Sequence, residues 1–198
     1  EDPIEYAFKP KMSIVSQREI GLDVFQFSDA LRAAVRQDPD VIFVGEMRDK
    51  ETMLAALQAA ETGHLVFCTL HTADTMQALG RILEFFPPDQ HQFIRSSLSN
   101  SIRAICARRL LPAIDPDISR VPAVEILLGE GIVREKIREG ADNDLPEIIA
   151  GSAQSGMCTF TASLAELVEK GLIYTDVAME YAPNREQLMG LLRGIKTS

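Results

Sequence analysis

Residues 41–72, VIFVGEMRDKETMLAALQAAETGHLVFCTLHT, read as strand, turn, helix and second strand, with an ionisable residue at the exit of each strand. Val41, Ile42, Phe43 and Val44 form a β-branched and aromatic block without polar alternation, the pattern of a strand covered on both faces in a parallel sheet. Gly45 ends the block, and Glu46 follows at the C-terminal end of the strand, where open α/β sheets place their ligands. Asp49 is placed to N-cap a helix whose Met53, Ala56, Leu57 and Ala60 recur at three- and four-residue spacing until Gly63 stops it. Leu65 to Leu70 is a second unbroken apolar strand, and His71 emerges at its end. A right-handed crossover sets two such strands side by side and parallel, so Glu46 and His71 are expected at one sheet edge. A carboxylate there either orients a Mg²⁺-bound water, accepts a proton from an attacking one, or merely caps a turn. A lone histidine is more often a core residue; beside a strand-end glutamate it reads as a chemical partner.

Outward from this stretch, composition sets the bounds. With 198 residues, 46% of them hydrophobic, the chain buries a substantial core in one or two domains. A formal net charge of -9 repels nucleic acid and anionic membrane surfaces, which argues against either as the main partner, local basic residues such as Arg103, Arg108 and Arg109 notwithstanding. Cys68, Cys106 and Cys158 are isolated, without a CxxC pair, and fit reduced thiols. No apolar run has the length of a membrane span and the acidic start is unlike a signal peptide, so the expected location is cytoplasmic, peripheral to a membrane at most.

On the N-terminal side, Glu1, Asp2 and Glu5 cluster around Pro3, and Ile4, Tyr6 and Phe8 alternate as in a short extended segment, with Ile14 and Val15 as a second. Ser28 or Asp29 starts a helix through Leu31 and Val35, its Arg32 and Arg36 on a solvated face. On the C-terminal side, Asp74 or Thr75 caps a helix with Met76, Leu79, Ile82, Leu83 and Phe86 inward, broken by Pro87-Pro88. The stripe Ile94, Leu98, Ile102, Ile105 predicts one long helix over 89–111, with His91 on its surface. Residues 112–122 read as a hairpin or connection, and Val124 to Leu128 as a strand. Short helices follow over 132–138, 145–150, 163–170 and 186–192.

Four blocks stand in fixed order: EDPIEY (1–6), SQRE (16–19), DPDVIFVGEMRDKET (38–52) and ETGHLVFCTLHT (61–72). Together they closely resemble the secretion ATPases of the type II and type IV pilus systems, most closely the PilT-type twitching-motility, pilus-retraction ATPases. The resemblance continues into GMCTF (156–160) and LAELVEKGLI (164–173). It implies an α/β fold, a RecA-like P-loop NTPase core over 1–112 that is incomplete at its N-terminus, followed by a mostly helical C-terminal domain over 113–198. It also implies an ATP-hydrolysing motor subunit of a pilus retraction ring, a homo-oligomer of six, acting with an inner-membrane platform protein. In that family the acidic stretch matching Glu1 to Glu5 is the Asp box, with Glu5 helping to hold Mg²⁺ and its water shell. Glu46 matches the Walker B glutamate that acts on the attacking water and meets Mg²⁺ through water. His64 and His71 match the His box, with His71 at the γ-phosphate of ATP. Arg18 and Arg48 match arginines near the nucleotide or a neighbouring subunit, where a guanidinium fork suits phosphoryl charge.

The departures are equally specific. The loop GxxxxGK[ST], whose amides and lysine grip phosphates, is not in these 198 residues, so the chain alone is expected to bind ATP poorly and to be a fragment. A truncated paralogue acting as a ring-assembly module is the alternative, as is a pilus-assembly or type II secretion ATPase. IVREKI (132–137) stands where retraction ATPases carry AIRNLI, and Cys158 and Thr161 depart from GMQTLD; the four-cysteine zinc insertion of many assembly ATPases is lacking.

Overall fold

The computed structural model describes residues 1–194 and divides into two compact units, one built from Glu1–His71 and Gly80–Ser101, the other from Thr72–Leu79 and the chain from Ile102 onward. In the first unit, helix α1 (Phe27–Ala34) and a 3-10 turn lead to strand β1 (Val41–Val44) through Asp38, which takes the left-handed φ of 55° that aspartate tolerates. Helix α2 (Lys50–Glu61) follows, and strand β2 (Leu65–Cys68) returns parallel to β1 with Val41 opposite Leu65 and Val44 opposite Cys68. The expected strand, helix, strand unit is therefore present. Asp49 caps α2 as its position suggested, accepting the Thr52 amide at 2.7 Å and the Thr52 hydroxyl at 2.8 Å. Gly63, at φ 103°, ends the helix in a conformation closed to other residues.

Two expectations for this unit fail. The sheet is not covered on both faces: Ile42 and Val44 are buried, but Val41, Phe43, Leu65 and Phe67 are 40–57% exposed, because the helices packed on this pair lie on one side. Nor are the segments around Ile4–Phe8 and Ile14–Val15 strands; with no partner strand their alternation has nothing to pair with, and Tyr6 and Phe8 instead stack edge to face at 5.2 Å.

Helix α3 (Thr75–Glu84) buries Ala78, Leu79, Ile82 and Leu83, and helix α4 (His91–Ser101) buries Ile94 and Leu98. The long helix predicted to residue 111 stops at Ser101. Ser99 and Ser101 hydroxyls bond back to the Ser96 and Ser97 carbonyls, and from Ala104 the burial alternates, Ala107 and Leu111 inward and Cys106, Arg108 and Leu110 outward. Ile102 and Ile105 thus continued a helical spacing by coincidence. His91 is not a plain surface residue either: its Nε2 lies 2.9 Å from the Phe86 carbonyl.

The second unit is organised on an antiparallel hairpin, β3 (Ala104–Pro112) and β4 (Arg120–Leu128), paired along nine positions. Cys158 extends it by bridging Ile126 through both backbone bonds. Helices α5 (Gly131–Glu139), α6 (Leu145–Gly151), α7 (Phe160–Glu169), α8 (Thr175–Tyr181) and α9 (Arg185–Leu192) complete it; α8 had no counterpart in the sequence reading. Its core gathers Leu111, Val121, Ala123, Phe160, Leu164, Ile173, Ala178 and Leu188, all at most 7% exposed. Gly129 passes so close to the Ile102 carbonyl that a Cβ would sit 2.3 Å from its oxygen, and Arg134 fastens this crossing by donating to both the Gly129 and Ile102 carbonyls. Among the described residues no helix is long and apolar enough to cross a membrane.

Candidate functional site

Parallel pairing continues past the ends of β1 and β2, and this brings the ionisable residues together. The Met47 amide donates to the Thr69 carbonyl at 3.0 Å, the Thr69 hydroxyl donates to the Gly45 carbonyl, and Met47 is anchored in the core at 3% exposure. With the two exits zipped in this register, His71 Nε2 lies 3.1 Å from Glu46 Oε1. Arg48 reaches back to the other carboxylate oxygen: its Nε and Nη2 donate to Glu46 Oε2 at 2.7 and 2.6 Å. Arg48 Nη1 donates to Asp2 Oδ2 at 2.9 Å.

The result is a chain of alternating character, His71, Glu46, Arg48, Asp2, at the C-terminal edge of the parallel pair. Glu46 is its most enclosed member, with a side chain 22% exposed against 53% for Arg48 and 85% for His71. The hydrogen bond from Arg48 holds the Glu46 carboxyl below its ordinary value, and His71 contributes in the same direction. Glu46 in turn pushes the Arg48 guanidinium further up. A groove of about 440 Å³ borders this edge, lined by Asp2, Ile20, Phe25, Phe27, Arg48 and Asp49 among others.

Asp2 is the acidic residue the sequence did not single out, and its placement comes from the SQRE block. The Gln17 amide donates to Glu1 Oε1 at 2.7 Å and to the Tyr6 carbonyl at 2.9 Å, while its oxygen accepts the Phe8 amide at 2.8 Å. Glu19 accepts the Ile4 amide at 3.1 Å, and the Ile20 amide donates to the Glu1 carbonyl at 2.9 Å. Gln17 and Glu19 therefore lace the acidic segment beside Gly45, and no local signal in that segment says which carboxylate faces Arg48.

Of the six residues singled out from the sequence, the geometry joins Glu46, His71 and Arg48. Glu5 is exposed and makes no hydrogen bond or ion pair among the described residues. Arg18 turns to Gln37 Oε1 at 2.8 Å. His64 precedes β2 at the opposite end of the strands, where its Nδ1 lies 3.0 Å from the Ala59 carbonyl and 3.2 Å from the Thr62 hydroxyl; it closes α2 and is not brought to the cluster.

Comparison with known proteins gives this arrangement a context. Residues 1–162 match the family described as type II/IV secretion system protein. A twitching motility protein of Neisseria gonorrhoeae is 43% identical over 188 residues, covering 95% of this chain and 50% of that protein. The type IV pilus retraction ATPase PilT of Pseudomonas aeruginosa is 43% identical over 182 residues, 92% of this chain and 52% of its own length. The chain thus spans about half the length of these relatives. Among solved structures, the pilus retraction motor PilT with bound ADP superposes with a TM-score of 0.82 at 48% identity, covering 96% of this chain and 53% of that one. The Legionella pneumophila ATPase DotB gives 0.74 at 32% identity, covering 84% and 45%. The α/β fold, a RecA-like core followed by a helical region, is that of these ATPases, and the chain belongs to the type II/IV secretion system protein family.

Proposed function

We propose that residues 1–198 form the part of a pilus-retraction ATPase that acts on the γ-phosphate side of ATP. The observation that carries this reading is the contact of Glu46 with both His71 and Arg48 at the C-terminal edge of β1 and β2. Glu46 takes the proton of the attacking water or orients it, His71 contacts the γ-phosphate, and Arg48 stabilises the charge that builds up on transfer.

As folded, Arg48 neutralises Glu46 and lowers its basicity, so the pair is a poor proton acceptor while it is closed. Movement of the guanidinium from Glu46 to a phosphate oxygen frees the carboxylate at the moment a nucleotide is present. Asp2 retains the other side of the fork and limits where Arg48 goes. Asp2 and Glu46 are hard oxygen donors on either side of Arg48, the type that would meet Mg²⁺ through its water shell; bound with nucleotide, that ion would supply charge neutralisation to the phosphates. Glu5 and Arg18, which the resemblance assigned to the site, enter it in this reading only on rearrangement of the N-terminal segment, and His64 acts from outside it.

The same reading carries over what the family resemblance implies: a cytoplasmic motor working as a ring of identical subunits against a membrane platform protein. The test joins residues 1–198 to an upstream strand and phosphate-binding loop and measures turnover. Glu46→Gln is expected to lower the rate by about 10² to 10⁴ while nucleotide binding persists. Turnover unchanged by Glu46→Gln would overturn the role. Micromolar binding of a fluorescent ATP analogue by residues 1–198 alone would show that the phosphate-binding loop is dispensable for affinity.

A further inference from the structure

Two half-buried side chains of the SQRE block, Gln17 and Glu19, turn to the acidic segment and not to each other. Gln17 uses both donors and its oxygen there: it donates to Glu1 Oε1 at 2.7 Å and to the Tyr6 carbonyl at 2.9 Å, and accepts the Phe8 amide at 2.8 Å. Glu19 Oε2 accepts the Ile4 amide at 3.1 Å, and beside it the Ile20 amide donates to the Glu1 carbonyl at 2.9 Å.

Loop closure alone does not explain this set. The bonds of Gln17 to Tyr6 and Phe8 close the loop between Phe8 and Gln17, and that is a structural task. Its bond to Glu1 and the bond of Glu19 to Ile4 close nothing. They grip the two residues that bracket Asp2 and Pro3. Glu1 also lies against Gly45, where a Cβ would come within 3.6 Å of the Glu1 Cα. Pro3 has no amide with which to fix its own place. Among the described residues Asp2 makes one hydrogen bond, the one it accepts from Arg48 Nη1 at 2.9 Å. Arg48 is thereby held at both ends of a rigid plane, with Nε and Nη2 on Glu46 and Nη1 on Asp2. Where Asp2 stands therefore sets the angle at which the fork meets Glu46. All of these residues belong to the first unit.

We propose that Glu19 and Gln17 are positioning residues for Arg48, acting through Asp2. By fixing Ile4 and Glu1 they hold the Asp2 carboxylate where it takes one arm of the guanidinium, so that Arg48 rests across Glu46 in one orientation. The inference rests on Glu46 and Arg48 being a working pair of the site.

The experiment is NMR of the 198-residue chain with labelled arginine, in which the Arg48 Nε–H cross-peak is identified by its loss in Arg48→Lys. Arg81, paired with Glu84 at 2.8 Å, serves as an internal reference. Asp2→Ala is expected to displace the Arg48 cross-peak. Glu19→Ala is expected to displace it in the same direction while that of Arg81 stays in place. Glu19→Gln, which keeps an acceptor oxygen for the Ile4 amide, is expected to restore it. A lowered melting temperature in Glu19→Ala with the Arg48 cross-peak unmoved would overturn the proposal and leave Glu19 a structural tie. An Arg48 cross-peak indifferent to Asp2→Ala would overturn it as well. If Glu19→Ala does not fold, Gln17→Met, which removes the grip on Glu1, is read by the same criterion. Glu46→Gln is measured in parallel. If it leaves the Arg48 cross-peak unmoved, the pairing of Glu46 with Arg48 is wrong, whereas the responses to Asp2→Ala and Glu19→Ala still decide whether the acidic segment positions Arg48.

Discussion

Phe160 and Phe43 show how differently the two units use their apolar residues. Phe160 starts α7, is 1% exposed, and sits in a core closed by β3, β4, α8 and α9. Phe43 stands in the middle of β1 at 57% exposure, on a sheet face that also presents Val41, Leu65 and Phe67. The first unit keeps its polar chemistry at the strand exits and leaves one face of the sheet uncovered. The second gathers Leu111, Phe160, Leu164, Ile173 and Leu188 into a closed core, leaving Leu110, Ile118, Ile132 and Tyr174 outside it, and brings charge inward where backbone has to be held. Stability is therefore expected to reside in the second unit, and the sheet of the first to tolerate change.

The largest expected effect follows from that contrast. Phe160→Ala removes a fully buried ring, and with it the surface on which Arg109 stacks, so a loss of about 3–5 kcal/mol is expected in denaturant unfolding of the second unit. An unchanged midpoint would break the comparison.

Asp49→Ala comes next. It removes the side chain that accepts both the Thr52 amide and the Thr52 hydroxyl, and the cost expected is that of a helix cap, about 1 kcal/mol, in the first unit. Asp49→Asn, which retains an acceptor, is expected to recover most of it. Equal losses for both variants would mean that charge at the helix start, not the cap hydrogen bond, matters there.

Much of this was legible in the sequence where the determinants are local. The β1, α2, β2 unit follows from apolar blocks, one capping aspartate and one glycine, and the crossover rule then placed Glu46 with His71. What was not legible depends on distant partners. Asp2, and not Glu5, meets Arg48 because Gln17 and Glu19 lace the acidic segment from 9 to 16 residues away in sequence, which no spacing rule encodes. The partners of Arg109 and Glu125, 36 and 50 residues away, likewise follow from no local pattern. The α4–β3 boundary was hidden because Ile94, Leu98, Ile102 and Ile105 satisfy a helical period, while the strand's own alternation begins only afterwards. Exposure of Phe43 was equally hidden: an apolar run reports what a strand can bury, not which neighbours this chain supplies.

Phe43→Thr sharpens the contrast from the other side. Threonine keeps the β-branched preference for a strand, and the ring it replaces is more than half in solvent, so the expected change is below about 1 kcal/mol, with less self-association at high concentration. A loss as large as that of Phe160→Ala would mean that the sheet face is covered in solution.

The smallest effect concerns the site itself. Glu46 has its carboxyl lowered from 4.5, first by the hydrogen bond from Arg48. A carboxylate with a depressed folded-state value contributes stability that is fully present above the unfolded value and is lost as pH falls through the folded one. The melting-temperature difference between the parent chain and Glu46→Gln is therefore expected to stay level from neutral pH down to about 4.5 and to narrow below it. High salt should shrink it throughout, since Arg48 is 53% and His71 85% exposed and such pairs are screened. A difference that widened below pH 4.5 would mean that the fold prefers the protonated acid. Glu46 would then be a donor to Arg48's neighbours, and the closed pair could not be the resting form of a general base.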